Sequence, residues 1–262
     1  MKTSGETISS PSKPPGDPAI GATVDREEIA RFATHAASWW DPAGSFRPLH
    51  RLNPARLDFI RSALDAHFGR DKRSLTPFAG LSLCDVGCGG GLIAEPMVRL
   101  GFAVSAIDAD ADAIAVAREH AAASGLDIDY RSDTAESLAA DKRQFDVVLA
   151  LELIEHVADP VMLLAACSAL IKPGGAFVGA TLNRTPQSYA LAIVGAEYVM
   201  RWLPRGTHDW RRFLRPSEFV LGLRRAGLKA TQLKGLRYRP LSGDWAQSDD
   251  LSVNYLVMAV KE

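Results

Sequence analysis

The sequence predicts an α/β protein: a doubly wound, mostly parallel sheet of seven strands with an antiparallel strand at one end. Three observations carry this expectation. Residues 81–91 read LSLCDVGCGGG, an apolar strand that ends in clustered glycines and runs straight into a helical stretch. Strand-like and helix-like segments then alternate as far as residue 182, the pattern of parallel strands joined by crossover helices. The last two strand-like segments, 231–238 and 251–260, follow one another without a helix, so they read as a hairpin whose second strand is antiparallel.

Residues 1–24 are rich in Ser, Pro and Gly and hold almost no bulky apolar side chain, so a disordered tail is expected there. They lack the apolar core and cleavage site of a secretion signal. The remainder, 25–262, reads as one domain. Asp25, with acids behind it, caps an amphipathic helix through 37, a helical N-terminal extension. Trp39 and Trp40 come next and are expected to pack, ahead of a Gly/Pro-broken segment over 42–50. Asn53-Pro54 opens a second helix to about 68, with Asn53 as cap and Pro54 at its first position. A basic loop, 70–74, leads to the central strand, and a helix over 92–100 follows the glycines. The next elements are a strand over 103–107 ending at Asp108, an alanine-rich helix over 111–123, and a strand over 128–131 ahead of Asp133. Residues 145–151 are almost continuously apolar, as a parallel strand buried on both faces must be. Asp159 caps a helix that closes at Lys172-Pro173-Gly174-Gly175, a tight turn into the strand 177–182. An insertion over 183–215 then breaks the alternation, and helix resumes over 216–226.

Composition narrows the function classes. Charged residues make up 23% of the chain and the net charge is −1, which leaves no basic face broad enough for a nucleic-acid partner. No apolar stretch is long enough to span a bilayer. Cys84, Cys88 and Cys167 lack zinc-site spacing, and their odd count gives no disulfide framework; they read as small apolar fillers in a reducing cytoplasm.

The glycine stretch is more than a turn. Glycine allows positive φ and lets a ligand approach the backbone without a Cβ in the way. In this D-x-G-x-G-x-G pattern Asp85 stands before Gly87 and Gly89, where a carboxylate would repel the pyrophosphate of a nicotinamide cofactor. A ligand with an ammonium and a sulfonium suits an acidic site, which points to S-adenosylmethionine. Asp108, at the end of the second strand, can accept from two ribose hydroxyls or cap the next helix, a role Asp110 could fill instead. Asp133 can meet an adenine amine or cap a helix over 134–138. Glu152, Glu155 and His156 follow the fourth strand in LELIEHVADP. In a helical turn Glu152 and His156 lie on one face with Glu155 beside them. Such a set can hold Mg²⁺, can leave His156 as a metal-free general base, or can be an ordinary polar loop.

Together these residues resemble the ubiquinone biosynthesis O-methyltransferase family, whose fold is the Rossmann-like sheet of class I S-adenosylmethionine-dependent methyltransferases. The resemblance rests on WWDPAGSFRPLHRLNPARL (39–57), CDVGCGGGLIAEP (84–96), ELIEHVADP (152–160), KPGG (172–175), the long block 181–210 and VNY (253–255). It implies methylation of ring hydroxyls of polyprenylated phenols and catechols, namely 2-polyprenyl-6-hydroxyphenol and 3-demethylubiquinol. It also implies a cofactor site of Arg56, Gly87, Asp108 and Leu151, with Arg56 on the methionine carboxylate; by itself Arg56 reads as a solvated helix charge. Leu151 stands where relatives often carry methionine. Magnesium held by Glu152, Glu155 and His156 is implied as well, with His156 or a metal-bound water taking the phenolic proton. The apolar insertion, with Tyr189, Leu191 and Trp202, is expected to be either a lid or an element contacting the inner face of the cytoplasmic membrane. Contacts with other quinone-biosynthesis enzymes are a further expectation. The competing readings are a non-catalytic S-adenosylmethionine- or lipid-binding subunit and, disfavoured by Asp85, a nicotinamide oxidoreductase.

Overall fold

The computed structural model describes residues 23–25, 29, 33, 38–191, 209–239 and 242–262. Most of the expected tail, most of the helix over 25–37, and insertion residues 192–208 lie outside the described residues. Thr23, assigned to the tail, is buried, and its carbonyl accepts from the Ala158 N–H at 2.8 Å.

Eight strands form one sheet in the order β3-β2-β1-β4-β5-β8-β6-β7. β1 (Ser82–Val86), β2 (Ala103–Asp108), β3 (Asp129–Ser132), β4 (Phe145–Leu151) and β5 (Ile171–Leu182) pair in parallel. β8 (Asn254–Lys261) inserts antiparallel between β5 and β6 (Leu228–Arg239), as the missing crossover helix predicts. Helices cover both faces. α1 (Arg47–His67), α2 (Ala94–Arg99) and α3 (Ala111–Ala123) pack on one; α4 (Ala135–Ala140), α5 (Pro160–Ala169) and α7 (Pro216–Arg225) pack on the other. The short α6 (Pro186–Ser188) opens the insertion. Alternation along β1 divides the two cores: Leu83 faces the α1 side, while Cys84 and Val86 face the α5 side. The three cysteines are buried and unbridged.

Three expectations are corrected. The sheet has an eighth strand, β7 (Asp244–Ser248), antiparallel to β6. Its sequence DWAQS is half-buried throughout and shows no apolar alternation, so periodicity could not reveal it. Trp245 pairs directly opposite Tyr238, and Gln247 donates to Asp58 at 2.7 Å, which fastens this edge hairpin to α1. Next, α1 starts at Arg47 with Pro48 in its first turn, so Pro54 sits inside the helix and Asn53 caps nothing. Instead the Asn53 side chain is buried and donates to the Leu92 carbonyl at 3.4 Å, which ties α1 to the segment after the glycine turn. Finally, the KPGG run is part of β5, where a register shift against β4 absorbs the glycines.

Candidate active site

The carboxyl ends of β1, β2 and β4 open into a cavity of about 760 Å³, where doubly wound sheets hold their ligands. The glycine turn forms its floor. Gly87 and Gly89 have φ of +74° and +50°, which L side chains rarely adopt. The Gly87 and Cys88 N–H groups donate to the Ile107 carbonyl at 2.8 and 3.0 Å, tying the turn to β2. Gly89 N–H donates to Asp108 Oδ2 at 2.8 Å, and Asp110 N–H donates to Asp108 Oδ1 at 2.8 Å. Asp110, not Asp108, caps α3, accepting from the Asp112 and Ala113 N–H groups. Asp108 therefore lines the cavity with both oxygens held by backbone N–H groups, those of Gly89 and Asp110 and, beside them, Ala109. Burial raises its pKa. Asp133 lines the same end; the cap of α4 is its neighbour Thr134, whose N–H donates to Asp133 Oδ1 at 2.8 Å. Leu151, at the end of β4, completes this wall.

Asp85 and Arg56 give the cavity its charge. Asp85 is buried, and its Oδ2 has no hydrogen-bond partner among the described residues. Burial, and then the charge of Asp108, raise its pKa from 3.8 to about 7. Arg56, which reads from sequence as a solvated charge, is only 3% exposed. It forms an ion pair with Glu152 at 2.7 Å, yet its Nε and Nη2 make no aligned hydrogen bond. A buried acceptor lacking a donor, in the same cavity as a guanidinium with unused donors, matches the ammonium and carboxylate of an α-amino acid.

The expected magnesium ligands do not converge. Residues 152–156 form a turn, not a helix, because Glu152 adopts φ of +52° and redirects the chain after β4. Glu152 and His156 line the cavity. Glu155 is buried behind them, accepting from Thr181 Oγ1 at 2.9 Å, and burial followed by the charge of Glu152 raises its pKa. Arg56 already neutralises Glu152. Among the described residues no three His, Cys, Asp or Glu side chains are grouped to hold a metal ion. In this arrangement the donor set does not fit Mg²⁺, which needs near-octahedral oxygen ligands.

Sequence reasoning missed the apolar part of the cavity lining, to which Phe46, Leu49 and Leu52, from α1 and the segment before it, and Leu236, Tyr238 and Trp245, from β6 and β7, contribute. The 49/52 spacing signals a helix face, but β7 gave no signal. Trp39, expected to be simple packing, also lines the cavity.

Residues 84–179 match the model of a methyltransferase domain. A ubiquinone biosynthesis O-methyltransferase of Dinoroseobacter shibae is 55% identical over 240 residues, covering 91% of this chain and 97% of that protein. One from Paramagnetospirillum magneticum is 54% identical over 239 residues, covering 91% and 96%. The chain belongs to the ubiquinone biosynthesis O-methyltransferase family. Solved structures agree on the fold of this O-methyltransferase. A Synechocystis magnesium protoporphyrin IX methyltransferase with bound S-adenosylhomocysteine aligns with a TM-score of 0.59 at 14% identity, covering 90% of this chain and all of that one. A Thermotoga maritima S-adenosylmethionine-dependent methyltransferase aligns with a TM-score of 0.60 at 16% identity, covering 90% and 99%.

Proposed function

We propose that this protein transfers the methyl group of S-adenosylmethionine to ring hydroxyls of polyprenylated phenols and catechols in ubiquinone biosynthesis, 2-polyprenyl-6-hydroxyphenol and 3-demethylubiquinol. The observation that carries the reading is one cavity with two unlike kinds of lining: a glycine turn with Asp85, Arg56 and Asp108, and apolar side chains that include Leu52, Leu236 and Trp245. In this reading Arg56 takes the methionine carboxylate and Asp85 the ammonium. Asp108 takes the ribose hydroxyls, while Asp133 and Leu151 border the adenine. The turn Gly87–Gly89 brings the backbone against the ligand. The apolar lining receives the aromatic ring and the first part of its tail.

Methyl transfer from a sulfonium is an in-line displacement: the phenolic oxygen forms a C–O bond as the methyl–sulfur bond breaks, leaving S-adenosylhomocysteine. The protein's main contribution is position. A phenol with a pKa of about 10 is mostly protonated at neutral pH, so a base must accept its proton. His156 is the proposed base, and Glu152, on the same wall, is its acidic neighbour in the cavity. No step of this mechanism passes through Mg²⁺; a metal site would require Glu152 to exchange Arg56 for the cation. Tyr189 and Leu191, 48% and 51% exposed at the start of the insertion, support contact with a membrane surface that holds the tailed substrate. Among the described residues no helix is long and apolar enough to cross a membrane.

The test is S-adenosylhomocysteine release with a short-tailed demethylubiquinol analogue, run with added Mg²⁺ and with EDTA. Turnover supports the reaction, and its metal dependence decides whether Glu152 changes partner. Cofactor binding without turnover on any catechol would instead favour a non-catalytic subunit.

A further inference from the structure

The glycines that a ligand would need are already in contact with an indole. A Cβ added to Gly89 would lie 2.4 Å from Cη2 and Cζ2 of Trp39, and one added to Gly90 would lie 2.4 Å from its Cγ. This ring is held firmly. It stacks on buried Phe46 with centroids 3.7 Å apart and planes 5° from parallel. The Trp39 carbonyl lies 2.8 Å from His50 Nε2 on α1. Its neighbour Trp40 donates from Nε1 to the Gly90 carbonyl at 2.9 Å and stacks on His120 at 3.5 Å. Both indoles thus grip one glycine turn, but only one is satisfied. The Trp40 N–H has an acceptor; the Trp39 N–H is buried with none among the described residues. Buried indole N–H groups nearly always find a partner, and leaving one unpaired costs about 1–3 kcal/mol. The Trp39 ring also borders the cavity beside Gly87, Gly89 and Asp108.

We propose that Trp39 is a cofactor-binding residue, whose indole walls the cofactor part of the cavity and whose N–H donates to an oxygen of the bound ligand. The inference rests on the assignment of that part of the cavity to S-adenosylmethionine. It gives the glycines a second purpose. They leave room for an aromatic wall against the turn, so the turn and Trp39 border the cofactor together.

The experiment uses the full chain and S-adenosylhomocysteine, measured by calorimetry and by two-dimensional NMR of the tryptophan indole N–H groups. The Trp39 resonance is assigned by comparing variants in which each of the other four tryptophans is replaced by Phe. In wild type, that resonance should shift on ligand addition and become protected from solvent exchange. Trp39→Phe keeps an aromatic ring to stack on Phe46 and removes the donor, along with the Cη2 and Cζ2 contacts on Gly89. It should raise the Kd about tenfold, the loss of one hydrogen bond to a polar ligand group, with the ligand-free melting temperature little changed. A lowered melting temperature with an unchanged Kd would make Trp39 a packing residue only. Tighter binding by Trp39→Phe would make the indole a plug. Either result overturns the proposal, as does an unmoved Trp39 resonance in wild type, which holds even if the variant fails to fold. Absence of wild-type binding would instead refute the cofactor assignment itself.

Discussion

Replacing Asp85 by Asn should make the ligand-free protein more stable at alkaline pH while making it a poorer cofactor binder. The Asp85 carboxyl keeps its proton to about pH 7, against 3.8 when exposed, chiefly because it is buried. Between those values the folded state holds a proton that the unfolded state releases, so stability falls as pH rises through this window. Each pKa unit is worth about 1.36 kcal/mol, which makes the cost of ionising Asp85 in the fold at most about 4 kcal/mol above pH 7. Asn has nearly the same shape and no charge, so it escapes that cost. Relief of about 2–4 kcal/mol corresponds to roughly 5–15 °C in Tm for a chain of this size. Melting curves of wild type and Asp85→Asn should show a gap of about 1.6 kcal/mol at pH 5 that widens to about 4 kcal/mol by pH 7, changes little to pH 8.5, and closes only below pH 3.8. The ligand reverses the preference, because an ammonium facing Asp85 favours the ionised form. Wild-type affinity for S-adenosylmethionine should therefore rise from pH 6 to 8, while that of Asp85→Asn stays flat and at least tenfold weaker at pH 8. A stability gap independent of pH, or equal affinities at pH 8, would refute this account of the site.

Other changes probe the remaining walls. Arg56→Ala should weaken S-adenosylhomocysteine binding by about 10- to 100-fold and lower the melting temperature, since Glu152 is left without its partner. Arg56→Lys should recover little of the affinity, because an ammonium cannot present two parallel donors. Asp108→Asn should loosen the glycine turn: Gly89 and Asp110 donate to separate oxygens, and an amide offers only one acceptor. A loss of about 1–3 kcal/mol in denaturant unfolding, with weaker binding of S-adenosylhomocysteine, is the expected outcome. Trp245→Ala should cut kcat/KM for a tailed catechol by roughly tenfold while sparing a tail-less one, because it strips apolar wall from the cavity. Equal losses on both substrates would remove the tail from that wall.

Much of this molecule can be read along the chain. The alternation of elements, the glycine turn and the uninterrupted apolar run of β4 are local patterns with local causes: φ at glycine, capping, and burial of parallel strands on both faces. Helix α3 and strand β4 lie where the sequence reading puts them, at 111–123 and 145–151. Asp108 and Asp133 could be nominated because strand ends in such a sheet face the ligand. Which of two adjacent groups takes which role is a different kind of question. Asp110 rather than Asp108 caps α3 because the backbone at the end of β2 turns one oxygen of Asp108 to Gly89. The E-x-x-E-H spacing suggests three ligands on one face, but in the turn after β4 Glu152 and His156 line the cavity while Glu155 is buried behind them against Thr181. Arg56 reads as a surface charge until α1 is packed against the sheet and buries it beside Glu152. β7 has no periodic signal because its residues are all half-buried; pairing with β6 and contact with α1 create it. Composition and period settle which elements form. Partners brought together from distant parts of the chain decide charge state, ion pairing and the shape of the cavity, since these depend on burial and distance that no local pattern encodes.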